Sequence, residues 1–181
     1  METPAEYPNQ WKEIVRLEDG TAVTIRPILP ADAPLLQIGF KHLSPETIYM
    51  RFRESITELT EKQAHYYANV DYVTRMAFVA AAPIDGEEMV IGVARYHLIG
   101  PEQPGIAECA VIVGDDFQGQ GLGTKLMSRL IEYAVQHDVH TFEGTIQITN
   151  TRIMSFIKSG GLRYDRHMIE PGMWEVKVCL D

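Results

Sequence analysis

The segment that most constrains the fold runs from residue 106 to residue 148. A nearly unbroken apolar run at 106–113 leads into Gln118-Gly119-Gln120-Gly121-Leu122-Gly123, and an amphipathic stretch follows. A run that short, bounded by turn residues, reads as a buried strand. Over 122–137 the residues Leu122, Leu126, Leu130, Ile131 and Ala134 recur every three or four positions, which gives a helix with one core face. A further strand reads at 141–148. Strand, helix and strand in that order demand a parallel pair joined by a right-handed crossover.

Hairpins and helix caps account for most of the rest. Strands at 11–17 and 22–27 flank Glu18-Asp19-Gly20, and strands at 76–82 and 89–98 flank Asp85-Gly86. Residues 30–42 read as a helix. Ser44-Pro45 caps and opens a second helix through Phe52, and Thr60-Glu61-Lys62-Gln63 is a capping box for a third. A last helix reads at 150–159, ended by Gly160-Gly161, before strands at 163–170 and 173–179 across Pro171-Gly172. The order β-β-α-α-α-β-β-β-α-β-α-β-β predicts an α/β (α+β) fold. Its mixed, mostly antiparallel sheet holds one parallel pair and carries helices on both faces. Residues 1–10 read as a flexible polar tail and 11–181 as a single domain.

The glycine loop is the chemically informative element. Glycines let a backbone bend tightly and approach a ligand closely. The first N–H groups of a helix lack internal partners, and the helix dipole adds positive charge there. Such a loop suits a diphosphate. Its spacing excludes a P-loop, which needs Gly-Lys-Ser/Thr, and a dinucleotide fingerprint, which needs G-x-G-x-x-G. A ligand-free glycine turn is the alternative.

The pattern Gln118-Gly119-Gln120-Gly121-Leu122-Gly123 resembles the coenzyme A pyrophosphate loop of the GNAT N-acetyltransferase superfamily. Over residues 7 to 178 the chain is similar, more closely, to the acetyltransferase domain of Pat-type protein lysine acetyltransferases. The residues that carry this likeness include Val23-Thr24-Ile25-Arg26-Pro27-Ile28, Leu43-Ser44-Pro45-Glu46-Thr47-Ile48-Tyr49-Met50-Arg51-Phe52, Ile91-Gly92-Val93-Ala94-Arg95 and Ala107-Glu108-Cys109-Ala110-Val111. The resemblance implies the GNAT fold, acetyl-CoA as co-substrate, and transfer of acetyl to a primary amine. The implied acceptor is the ε-amine of a protein lysine, possibly on an acyl-CoA synthetase. It also implies cofactor binding by Val111, Ile112, Val113, Gln118, Gly119, Gln120, Gly121, Leu122, Gly123, Thr124 and Asn150. Relatives often carry a fused synthetase-like or cyclic-nucleotide-binding region, for which 181 residues leave no room. A small-molecule amine acetyltransferase and a non-catalytic coenzyme A sensor are the rival readings.

A lysine amine, with an ordinary pKa of about 10.4, reaches the site protonated, so a base must take its proton. Glu108 stands in an otherwise apolar strand, where partial desolvation would raise its affinity for that proton. In the Pat-type family the glutamate at this position is the general base. A structural role, paired with Arg95 or His97 on the neighbouring strand, is the alternative. Asn150 is either an ordinary helix cap or a pantetheine contact. The family's leaving-group tyrosine is replaced by Ile157; water, Tyr164 or Tyr133 would have to protonate the thiolate. Lys125 and Arg129 would either meet the 3′-phosphate or form the polar face of their helix.

Composition bounds what remains. Sixteen basic against 25 acidic side chains give a net charge of −9, which argues against a nucleic-acid partner. No apolar run approaches the roughly 20 residues of a membrane helix, and the N-terminus lacks a signal core, so a cytoplasmic protein without membrane partners is expected. Cys109 and Cys179 have no ligand spacing, and no metal site is expected. A monomer or homodimer fits these bounds. The acceptor is expected over the region 43–71, on a surface where acidic residues cluster to attract a cationic lysine.

Overall fold

A computed structural model describes residues 6–180. After a 3₁₀ turn at Asn9–Trp11 come strands β1 (Glu13–Arg16) and β2 (Ala22–Pro27), then helices α1 (Ala33–Lys41), α2 (Pro45–Phe52) and α3 (Glu61–Ala68). Strands β3 (Arg75–Ile84), β4 (Glu87–Leu98) and β5 (Ile106–Val113) follow, then α4 (Leu122–Val135), β6 (Thr141–Gln147), α5 (Thr151–Ser159), β7 (Tyr164–Glu170) and β8 (Met173–Cys179). The eight strands form one sheet in the order β1-β2-β3-β4-β5-β6-β8-β7. Pairings β1-β2, β2-β3, β6-β8 and β7-β8 are antiparallel, and β5-β6 is parallel.

Local chemistry explains most of the boundaries. Ser44 Oγ accepts from Thr47 N at the start of α2, and Thr60 and Gln63 exchange the reciprocal bonds of a capping box on α3. Asp85 and Gly86 both take positive φ, 51° and 86°, the geometry of a two-residue hairpin turn. The turn is so tight that β3 and β4 reach Ile84 and Glu87, beyond the limits read at 82 and 89. The helix read at 30–42 is shorter than expected. Pro30–Asp32 forms a 3₁₀ turn, and Pro34, which lacks an N–H, falls in the first turn of α1.

The polar tail read at 1–10 is corrected at its inner end. Tyr7 donates to Pro27 O at 3.0 Å and meets the Tyr72 ring edge-on at 5.8 Å, and Pro8 is buried. Residues 1–5 lie outside the described part.

The chain divides into two compact units. One holds the residues up to Arg95 together with Val111–Leu130; the other holds Tyr96–Ala110 and Ile131 onward. In the first, α1, α2 and α3 supply Leu36, Phe40, Ile48, Ala64 and Ala68 to a core shared with Ile28, Ala77, Val79 and Val90. In the second, Tyr96 and Phe142 pack at 5.8 Å among buried Ala107, Val139, Ile157, Val176 and Val178.

Candidate active site

Residues 119–124 make an unpaired backbone cradle. The first N–H to close a turn of α4 is that of Lys125, onto Gly121 O at 3.1 Å. Among the described residues, the N–H groups of 119–124 have no backbone acceptor. Gly119 and Gly121 hold φ of +75° and +79°, a conformation that side chains resist, and open space surrounds both. The donors and the dipole of a 14-residue helix therefore converge on a place where an anion can sit. Gln120, Gly121, Thr124 and Lys125 line a hollow of about 310 Å³ with Arg16, Leu17 and Glu18.

The side chains of this loop have divided roles. Leu122 is buried in the core and offers only its backbone. Gly123 sits 3.6 Å from Val113 Cγ2, measured from an added Cβ. Gln120 Nε2 donates to Asp116 O at 3.3 Å, and its Oε1 is buried without a partner. Gln118 is turned inward: its Nε2 donates to Val113 O at 3.0 Å and Thr47 Oγ1 at 3.2 Å. It shapes the loop, and the ligand-facing donors beside it are backbone.

The ladder of β5 with β6 pairs Ile106, Ala107 and Glu108 with Thr141, Phe142 and Glu143. Farther along β5, Val111, Ile112 and Val113 are half-buried.

Glu108 pairs with Glu143 in that ladder. Its side chain is 61% exposed, so the desolvation expected of an apolar strand is absent. His97 Nε2 lies 3.6 Å from Glu108 Oε2, and the His97 side chain is itself 53% exposed. Arg95, the other expected partner, lies over the Tyr67 ring instead. A loose, solvated contact of this kind contributes at most about 1 kcal/mol.

The profile of the acetyltransferase (GNAT) family matches residues 43–161, more than half of the chain. The chain belongs to the GNAT acetyltransferase family. It is 38% identical over 126 residues to an acetyltransferase of Pseudomonas aeruginosa, covering 70% of this chain and 66% of that one. It is 32% identical over 164 residues to acetyltransferase Pat of Mycolicibacterium smegmatis, covering 91% of this chain and 48% of Pat. Thus it spans under two thirds of the one and about half of the other. Among solved structures, the GNAT domain of S. lividans PAT matches with a TM-score of 0.83 and 27% identity, over 96% of this chain and 99% of that domain. YncA of Salmonella typhimurium, solved with acetyl-CoA, shares the fold at 21% identity, with a TM-score of 0.69 over 88% and 94% of the two chains.

Other positions of this GNAT chain sort by burial. Asn150 occupies the cap position of α5, yet its side chain makes no cap bond, so the helix does not use its amide. Ile157 is 4% exposed and belongs to the core. Tyr133 is buried too and stacks on His137 at 3.9 Å, which removes it as a leaving-group acid. Arg129 is held by Glu13 at 2.8 Å and 2.5 Å and does not join the loop, whereas Lys125 does. Arg16, at the end of β1, also lines the hollow; the β1–β2 hairpin is legible in the sequence, but its approach to the glycine loop is not. Among the described residues no group of three His, Cys, Asp or Glu side chains could hold a metal ion, and no helix is long and apolar enough to cross a membrane.

Proposed function

We propose that this GNAT enzyme transfers acetyl from acetyl-CoA to the ε-amine of a protein lysine, with Glu108 as general base. The observation that carries the reading is the cradle of N–H groups at 119–124, which have no backbone acceptor among the described residues. Glu108 supplies an exposed carboxylate on β5.

The residues present fit the co-substrate. The N–H groups of 119–124 suit the pyrophosphate, and Arg16 and Lys125 beside the hollow suit a further phosphate. Backbone groups of Val111, Ile112 and Val113 suit the amides of pantetheine, with the uncommitted Asn150 amide as a further donor. Acetyl-CoA supplies an activated acyl group as a thioester. A backbone N–H of β5 would steady negative charge developing on its carbonyl oxygen. Glu108 takes the proton that the incoming ammonium must lose, and its solvated carboxylate hands that proton on to water. Isoleucine stands at 157 and Tyr133 is in the core, and of the remaining donors, water and Tyr164, water protonates the departing thiolate in this reading. Support for lysine as acceptor comes from the likeness to Pat and to the PAT GNAT domain.

The test is thiol release from acetyl-CoA with lysine-bearing proteins, an acyl-CoA synthetase among them, and with small amines. Mass spectrometry then locates the acetyl group. Acetylated protein lysine is expected, and Glu108→Gln is expected to lower kcat by about 10²–10³-fold. Turnover confined to small amines would overturn the acceptor, and wild-type kcat in Glu108→Gln would overturn the base.

A further inference from the structure

The second compact unit carries a row of charged side chains across one face of its strands. Glu108 on β5 is the register partner of Glu143 on β6, and Glu143 is that of Lys177 on β8. Register partners project to the same face of a sheet. Their chain neighbours Ala107, Phe142 and Val178 are buried on the opposite face. Lys177 Nζ lies 3.0 Å from Glu143 Oε2, and the Lys177 side chain is 45% exposed.

Among the described residues, Lys177 is the one lysine of the chain whose ammonium is held by a carboxylate. That carboxylate keeps the ammonium above its ordinary 10.5, so the amine is protonated at neutral pH, as an external lysine is. An exposed pair of this kind is weak and does not trap a flexible four-carbon stem. Two strand spacings of about 4.8 Å each separate the backbone at Glu108 from that at Lys177. An extended lysine spans roughly 6 Å from Cα to Nζ, and a glutamate reaches roughly 3–4 Å from its own Cα. Rotation of the two side chains therefore brings Nζ from Glu143 to Glu108 with the backbone unmoved.

We infer that Lys177 is a self-acetylation site, an ε-amine of the chain itself that takes acetyl from acetyl-CoA at Glu108. The inference rests on the reading of Glu108 as general base of a lysine acetyltransferase. Glu108 takes one proton from the Lys177 ammonium as Nζ leaves Glu143. The free amine forms a C–N bond to the thioester carbonyl carbon, and the C–S bond breaks. The thiolate departs and takes its proton from water. The product amide is neutral, so Glu143 loses its ammonium partner. Tethering makes the step unimolecular, and its rate is independent of protein concentration.

Incubation of the protein with acetyl-CoA and no acceptor, followed by digestion and mass spectrometry of every lysine, tests it. Lys177 should gain acetyl at least about tenfold faster than the other lysines, with a half-time unchanged by about tenfold dilution of the protein. Glu108→Gln should slow Lys177 by about 10²-fold and leave the slow acetylation of the others as it was. Lys177→Arg, which keeps a cation beside Glu143, should lack the fast single acetyl in its intact mass. A Lys177 that stays unmodified, gains acetyl no faster than the other lysines, slows on dilution or is indifferent to Glu108→Gln would overturn the inference. Acetylated acceptor proteins beside an untouched Lys177 would overturn it and leave the protein-lysine reading intact. Fast acetyl on Lys177 with external turnover confined to small amines would support it, while the acceptor of that reading fails.

Discussion

Asp32 is the residue on which the first unit's charge balance turns. It is 3% exposed, accepts from Arg26 Nη1 and Nη2 at 2.7 Å each, and accepts from Leu29 N at 2.7 Å. Its hydrogen bond, against the opposing effect of burial, raises the Arg26 guanidinium above its ordinary range. Removing one partner of a buried pair leaves the other charged and desolvated. Asp32→Ala should therefore cost about 3–5 kcal/mol in urea unfolding. The carboxylate near Arg26 would then be Glu88, 3.3 Å away and exposed. A loss below about 1 kcal/mol would mean that Glu88 or water replaces Asp32. The contrast with Glu108 shows what residue type leaves undetermined. Both acids neighbour apolar residues in sequence, yet one is sealed by a fork and the other faces solvent. Asn150 is similar: the cap position was legible, while the idle amide was not, since neither its geometry nor its neighbours are written in the spacing.

At the scale of elements, one carboxylate ties helix α2 to the entry of the glycine loop. Asp115, in a 3₁₀ turn at Asp115–Phe117, accepts from Ser44 N at 2.8 Å, Ser44 Oγ at 2.6 Å and Thr47 Oγ1 at 2.8 Å. Thr47 Oγ1 in turn accepts from Gln118 Nε2. The start of α2 and the entry to the loop are thus one hydrogen-bonded block. Asp115→Ala would strand the Ser44 N–H and release the Gln118 amide from its ordered partner. It should raise KM for acetyl-CoA by about tenfold, with a stability loss of about 1–3 kcal/mol. Steady-state kinetics beside a thermal melt separates the two, and an unchanged KM would mean that the block does not position the loop. The caps of α2 and α3 were legible because their partners lie within three residues. Asp115 bonds across 71 residues of sequence, so no local pattern announces it.

For the whole molecule, the pH profile of stability follows from which side chains the fold prefers in one protonation state. Burial raises the affinity of Asp71 and Asp115 for a proton. Hydrogen bonds more than reverse this, from Thr74, Val73 N and Arg75 N on Asp71 and from Ser44 and Thr47 on Asp115, so both carboxyls lie below the ordinary 3.8. A carboxyl depressed by folding contributes stability that is complete above its unfolded value and disappears as pH falls through its folded one. Tyr7 and Tyr72 have the opposite character. Burial, the largest influence on each, holds both phenols above the ordinary 10.0. Their contribution is complete below 10.0 and is lost as pH rises through the raised values. The urea midpoint should therefore be flat across the neutral range, falling below about pH 4 and again above about pH 10. Tyr7→Phe separates the alkaline limb. It removes one of the two phenols and its bond to Pro27 O, so it should lower the neutral midpoint slightly and make the alkaline fall shallower. An alkaline limb of unchanged steepness would mean that burial of the Tyr7 phenol does not contribute to that limb.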